Sequence, residues 1–263
     1  MNSYRICSLC FPLTLALTLT LTLALTLGSP AVAEQALVAV AANFSEVMER
    51  LKADFERETG HELTVTVGST GKLYAQIHHG APFDVLLAAD QERPIRLESE
   101  GLAVAGSRFT YAVGRLTVWS PKKGRVGADG EATLRAGDFR SVSLANPALA
   151  PYGVAAKETL EQLGLWTTLE TKLVMGQNIG QAHALVASGN AELGFVALSY
   201  VLSPRNKQPG SRWDVPETLY TPIRQDAVLL SRAAENSAAR AFLSFLQSEP
   251  VRKLIESYGY GSG

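Results

Sequence analysis

Residues 36–42, Ala-Leu-Val-Ala-Val-Ala-Ala, form an unbroken apolar run, the pattern of a strand buried on both faces of a parallel sheet. The period then changes. Phe44, Val47, Met48, Leu51 and Phe55 recur at helical spacing, with Asn43 expected as N-cap, Glu46 in the capping-box position and Gly60 as the stop. Residues 63–67 predict a second strand, Gly68-Ser69-Thr70-Gly71 a turn, and residues 72–79 a short helix with Leu73 and Ile77 facing inward. Residues 83–88 predict a third strand, closed by Asp90 as the cap of a further helix.

The second half repeats this logic. Strands are expected at 116–119, 142–145, 172–175, 193–197 and 226–230, and helices at 153–163, 180–188, 237–246 and 250–257. Residues 204–222, rich in Pro, Gly and charge, read as loop. Strands alternating with helices at this spacing predict βαβ units and an α/β fold with doubly wound, mostly parallel sheets.

Four strand-to-helix junctions stand out, at Asn43, Thr70, Tyr152 and Ile179. A helix start offers backbone N–H groups without internal partners and a partial positive charge, so several aimed at one point make an anion trap. Such junctions lie at the C-terminal ends of strands, where doubly wound sheets bind ligands. Each alone is an ordinary connection. Together they aim four helix starts at one edge, and no junction carries an obvious catalytic base or metal ligand.

Composition narrows the class. Arg5, the Leu/Thr/Ala run of 11–27 and Ala31-Val32-Ala33 have the form of a secretory signal peptide with cleavage expected after Ala33. Cys7 and Cys10, the chain's 2 cysteines, fall inside it, which excludes disulfides and thiol chemistry from the mature part. Removing residues 1–33 takes Arg5 from the 24 basic residues and none from the 25 acidic ones, a formal charge of −2, which leaves no basic footprint for nucleic acid.

Gly68-Ser69-Thr70-Gly71-Lys72 invites comparison with a phosphate-binding loop, but Thr66 and Leu73 occupy two of its four fixed positions. A hydroxyl-bearing turn at a helix start survives, able to donate from side chain and backbone. Lys72 is expected to face solvent. His61, His78, His79 and His183 lack a partner at metal-ligand spacing and read as a solvated face. A secreted hydrolase using Ser69 or Thr70 would need a base nearby, and the sequence places none there.

Several ordered stretches resemble the periplasmic molybdate-binding proteins of ABC importers. They include Ala-Ala-Asn-Phe at 41–44, Gly-Ser-Thr-Gly at 68–71, Gly-Ala-Pro-Phe-Asp-Val at 80–85, Ala-Pro-Tyr-Gly at 150–153, Gly-Gln-Ala-His at 180–183 and Tyr-Gly-Tyr at 258–260. The resemblance implies a two-lobe, type II periplasmic binding fold. Lobe one would hold 34–115 and 226–263 and lobe two 116–225, with hinges near 116–118 and 224–227. It further implies molybdate or tungstate held by Asn43, Thr70, Tyr152 and Ile179, with no cofactor, no enzymatic activity, a monomeric state and delivery to a membrane permease. Sulfate is the alternative ligand. Many members carry a Tyr hydroxyl where this chain has Ala197, so the donor set is expected to be rebuilt around Asn43 and the Ala42 backbone.

Overall fold

The structure is a computed structural model that describes residues 33–263; residues 1–32 of the expected leader lie outside the described residues. The first elements are β1 (Gln35–Ala41), a 3-10 turn (Ala42–Phe44), α1 (Ser45–Thr59), β2 (Glu62–Gly68), α2 (Thr70–His78), β3 (Val85–Leu87) and α3 (Glu92–Ser99). Then come β4 (Phe109–Gly114), β5 (Leu116–Ser120), α4 (Gly130–Ala136), β6 (Val142–Ala145), α5 (Pro151–Gln162), α6 (Trp166–Leu169) and β7 (Leu173–Gly176). The chain closes with α7 (Ile179–Ala187), β8 (Leu193–Ala197), α8 (Leu198–Leu202), β9 (Ser211–Asp214), β10 (Ile223–Leu229), α9 (Ser237–Leu246) and α10 (Glu249–Ser257).

Two five-stranded sheets result, ordered β2-β1-β3-β10-β4 and β7-β6-β8-β5-β9. In the first, β1 runs parallel to β2 and β3, while β10 is antiparallel to both β3 and β4. In the second, β6 runs parallel to β7 and β8, while β5 is antiparallel to both β8 and β9. Each sheet therefore has four strands running one way and a single opposed strand. The two-lobe α/β architecture with mostly parallel sheets stands as expected.

Both faces of the first sheet are covered, which is why β1 reads as a continuous apolar run. Val38 and Val40 pack with Phe44, Met48, Phe55 and Phe242 on one face, and the intervening Ala39 packs with Leu73, Leu86 and Leu97 on the other. The second sheet is treated alike, with Leu144, Phe195 and Leu160 on one side and Trp119, Val186 and Val196 on the other.

Several elements escaped the sequence pattern. β4, β9, α4, α6 and α8 had no expected counterpart, and β9 lies inside the stretch read as loop. β9 is a short polar edge strand, Ser-Arg-Trp-Asp, paired only with β5, so it carries no apolar run to announce it. The strand expected at 226–230 begins at Ile223. Asn43 does not cap α1. It sits within the 3-10 turn, Phe44 occupies the N-cap position, and no side chain caps the helix.

Candidate functional site

β1, β2, β6 and β7 end at the same opening, and their C-terminal ends carry the four junctions. The 3-10 turn starts at Ala42, α2 at Thr70, α5 at Pro151 and α7 at Ile179. Pro151 at the first helical position fixes the backbone for entry into α5 and has no N–H to satisfy. Asn178 caps α7, its Oδ1 accepting from the Gln181 N–H at 3.0 Å.

Asn43, Thr70, Tyr152 and Ile179, the four residues expected from the sequence, line one small cavity of about 10 Å³. Ala41, Ala42, Ser69, Ala89, Ala150 and Asn178 are among its other walls, and no charged residue lines it. Among the described residues the backbone N–H groups of Asn43, Thr70, Tyr152 and Ile179 have no hydrogen-bond partner. That is the state of donors at the first turn of a helix.

Two hydroxyls join them. Thr70 Oγ1 accepts from the Ala89 N–H at 3.0 Å, so its own proton is free to be donated. Ser69, only 3 % exposed, holds an Oγ that is buried without any partner. The sequence includes Ser69 within the hydroxyl-bearing turn, not among the four expected site residues. Its signal was the position just before a helix start, where a serine that does not cap has its hydroxyl to spare. Neither hydroxyl touches a histidine or a carboxylate, so neither has a base to activate it.

The Asn43 side chain is committed elsewhere. Its Nδ2 donates to Gln225 Oε1 at 2.8 Å and to the Tyr260 hydroxyl at 3.1 Å, which uses both amide protons. What Asn43 can offer an anion is thus its backbone N–H. Burial pushes the Tyr152, Tyr111 and Tyr260 hydroxyls above the ordinary tyrosine range, so each keeps its proton. Ala197 is fully buried at the end of β8 and is not among the cavity's walls.

The rim is held by contacts between the two sheets' loops. The Gly71 N–H donates to the Leu149 carbonyl at 3.0 Å, and Lys72, exposed as expected, donates to Gln177 Oε1 at 3.0 Å. A wider groove of about 300 Å³ shares Ala89 and Pro151 with the cavity. Asp90 in that groove has its pKa raised by burial, a tendency opposed by Arg93 beside it. The N-cap position of α3 falls on Gln91, one residue past the expected Asp90, although Asp90 Oδ1 accepts from the Arg93 N–H at 3.0 Å.

His183 departs from its expected solvated face. Its ring is stacked between Trp119 (centroids 5.1 Å apart) and Tyr200 (4.8 Å), and its Nε2 is buried without a partner. Burial lowers its pKa below the ordinary 6.5. The unfolded chain therefore takes up the proton first as pH falls, and stability is full above about 6.5 and lost below it. The urea midpoint of the wild type is expected to fall between pH 7 and pH 5 by more than that of a His183→Phe variant. Equal falls would contradict this placement.

The family model for bacterial extracellular solute-binding proteins matches residues 36–261. The molybdate-binding protein ModA of Azotobacter vinelandii is 50% identical over 89% of this chain and 93% of its own length. ModA of Rhodobacter capsulatus is 47% identical over 95% and 98%. The solved structure of the Azotobacter vinelandii periplasmic molybdate-binding protein superposes with a TM-score of 0.83 at 40% identity, covering 87% of this chain and 99% of that one. Fold, covered length and identity agree: the chain belongs to the family of bacterial extracellular solute-binding proteins.

Proposed function

We propose that this protein captures molybdate, with tungstate as a close second ligand, between its two lobes in the periplasm and hands it to the membrane permease of an ABC importer. The observation that carries this reading is the convergence of the Asn43, Thr70, Tyr152 and Ile179 N–H groups with the Ser69 and Thr70 hydroxyls on one cavity without charged walls. A lining made of donors suits an oxyanion that is fully deprotonated, because a protonated one would bring an O–H needing an acceptor. Helix starts supply partial positive charge without a cation to neutralise the guest. The names of the two close relatives choose molybdate among such anions.

In this reading Ser69 takes the place of the tyrosine hydroxyl that Ala197 cannot provide. Both hydroxyls and all four N–H groups would point at anion oxygens, and the small cavity would widen by a slight parting of the lobes. The lobes are proposed as residues 34–115 with 226–263 and residues 116–225. β10 (Ile223–Leu229) pairs wholly within the first sheet, so the chain returns to the first lobe by Ile223 and Gln225 goes with that lobe rather than with 116–225. Export would follow from the leader at 1–33. Among the described residues no helix is long and apolar enough to cross a membrane.

Binding to the folded chain alone must raise its stability. At a thousandfold excess over the dissociation constant, molybdate is expected to stabilise the protein by about 4 kcal/mol. A thermal melt with and without molybdate measures this, and an unchanged midpoint would count against the reading.

A further inference from the structure

The floor beneath the cavity is organised by one glutamine. Gln225, on β10, is 0 % exposed and sits where the pairing with β4 slips, between Gln225 and Asp226. Its Oε1 accepts from Asn43 Nδ2 at 2.8 Å and from the Tyr111 hydroxyl at 3.1 Å. Its Nε2 donates to the Tyr152 hydroxyl at 3.4 Å. The partners settle the orientation of the amide, since a flip would turn its NH₂ toward the Asn43 NH₂. One side chain therefore touches the residues that carry cavity N–H groups on both sheets, Asn43 after β1 and Tyr152 after β6.

Gly114 supplies an independent observation. It ends β4, immediately before the chain crosses to β5 in the other sheet. A Cβ there would lie 2.2 Å from the Tyr152 hydroxyl oxygen and 2.6 Å from Gln225 Nε2. Gly114 has no positive φ, so what the glycine provides is space and not backbone freedom. That space is filled by the hydroxyl of a residue from the opposite lobe.

Building on the anion-binding reading, we propose that Gln225 and the Tyr152 hydroxyl form a closure latch that holds the two lobes together over the ligand. Asn43 and Tyr111 belong to the same lobe as Gln225 and stay with it when the lobes part. Only the Tyr152 hydroxyl leaves, withdrawing from the recess over Gly114. The latch is therefore made in the closed form alone. An interaction confined to one of two states shifts their populations and slows escape from that state. It would lengthen the residence of the anion.

The test uses Tyr152→Phe, Gln225→Leu and the double variant in the full chain, with Gly114→Ala as an independent way to expel the hydroxyl. Tyr152→Phe keeps the ring and the backbone N–H, and melting without ligand reports whether each variant folds. Molybdate dissociation measured by rapid mixing is expected to quicken by about two- to tenfold in each single variant, the effect of one neutral hydrogen bond. The double variant should be no faster than the faster single. Small-angle scattering without ligand should show Tyr152→Phe to be larger than the wild type. Wild-type dissociation from Tyr152→Phe, or effects that add in the double variant, would overturn the latch. A wild type that binds no molybdate would overturn the anion reading instead; scattering, which needs no ligand, then decides the latch, and equal dimensions overturn it.

Discussion

Gly153→Ala is expected to abolish tight molybdate binding and to lower stability by about 1–3 kcal/mol, the range for forcing an extra carbon into a packed site. Gly153 lies in the first turn of α5, beside Tyr152. A Cβ on it would stand 2.3 Å from the Ala145 carbonyl oxygen and 2.8 Å from the Ala145 and Asn146 carbonyl carbons. These are backbone atoms at the end of β6, and no rotamer change can clear them. The start of α5 would have to back away from the strand by most of an ångström. The Tyr152 N–H would move with it, off a hydrogen bond whose strength falls steeply with geometry.

Titration and ligand-free melting measure the two effects separately. Gly164→Ala makes the contrast. Gly164 has φ +70°, with nothing within 4 Å of an added Cβ. Its substitution costs about 1–3 kcal/mol of backbone strain and should leave affinity at the wild-type value. If Gly153→Ala binds as the wild type does, α5 does not set the position of the donor.

Thr70→Val is the second large effect. Valine keeps the shape of threonine and removes the hydroxyl, which in the proposed site is a donor to the anion. A hydrogen bond to a charged partner is worth about 1.5–3 kcal/mol, or about 10- to 100-fold in dissociation constant. The same change strips the buried Ala89 N–H of its acceptor. An orphaned buried donor costs about 1–3 kcal/mol of stability even without ligand. Thr70→Ser, which retains the hydroxyl, should recover most of both losses. Recovery of stability without affinity would mean that Thr70 only braces Ala89.

The four junctions were legible because each is a local event, a switch from apolar run to helical period, and βαβ topology puts such switches at one edge of a sheet. The chemistry around them was less legible. Asn43 looked like a helix cap because Glu46 follows it at the right spacing. Its partners Gln225 and Tyr260 are 182 and 217 residues away, and no local pattern announces them. Polarity misled at His183, which is half-buried and stacked against two aromatic rings contributed by β5 and α8. Ser69 was hidden by its neighbour, since a Ser-Thr pair at a helix start does not say which hydroxyl caps, which braces and which is spare.

α8 was missed for a related reason. Leu198-Ser-Tyr-Val-Leu follows β8 without a polar break or a capping side chain. Yet this helix brings Ser199 to the Asn43 carbonyl at 3.1 Å and the Tyr200 hydroxyl to the Ala42 carbonyl. It therefore fixes the 3-10 turn that presents the Asn43 N–H. The donor geometry after β1 depends on residues from the other half of the chain, which pattern reading treats one segment at a time.

In the proposed site, a cavity lined by neutral donors holds a fully deprotonated tetrahedral oxyanion, molybdate first. Calorimetric titration of the residue 34–263 protein with molybdate, tungstate and sulfate tests it most directly. Saturable one-to-one binding of molybdate is expected, with tungstate close behind and sulfate weaker; no heat with molybdate, or sulfate binding the tightest of the three, would contradict an oxyanion site of this kind.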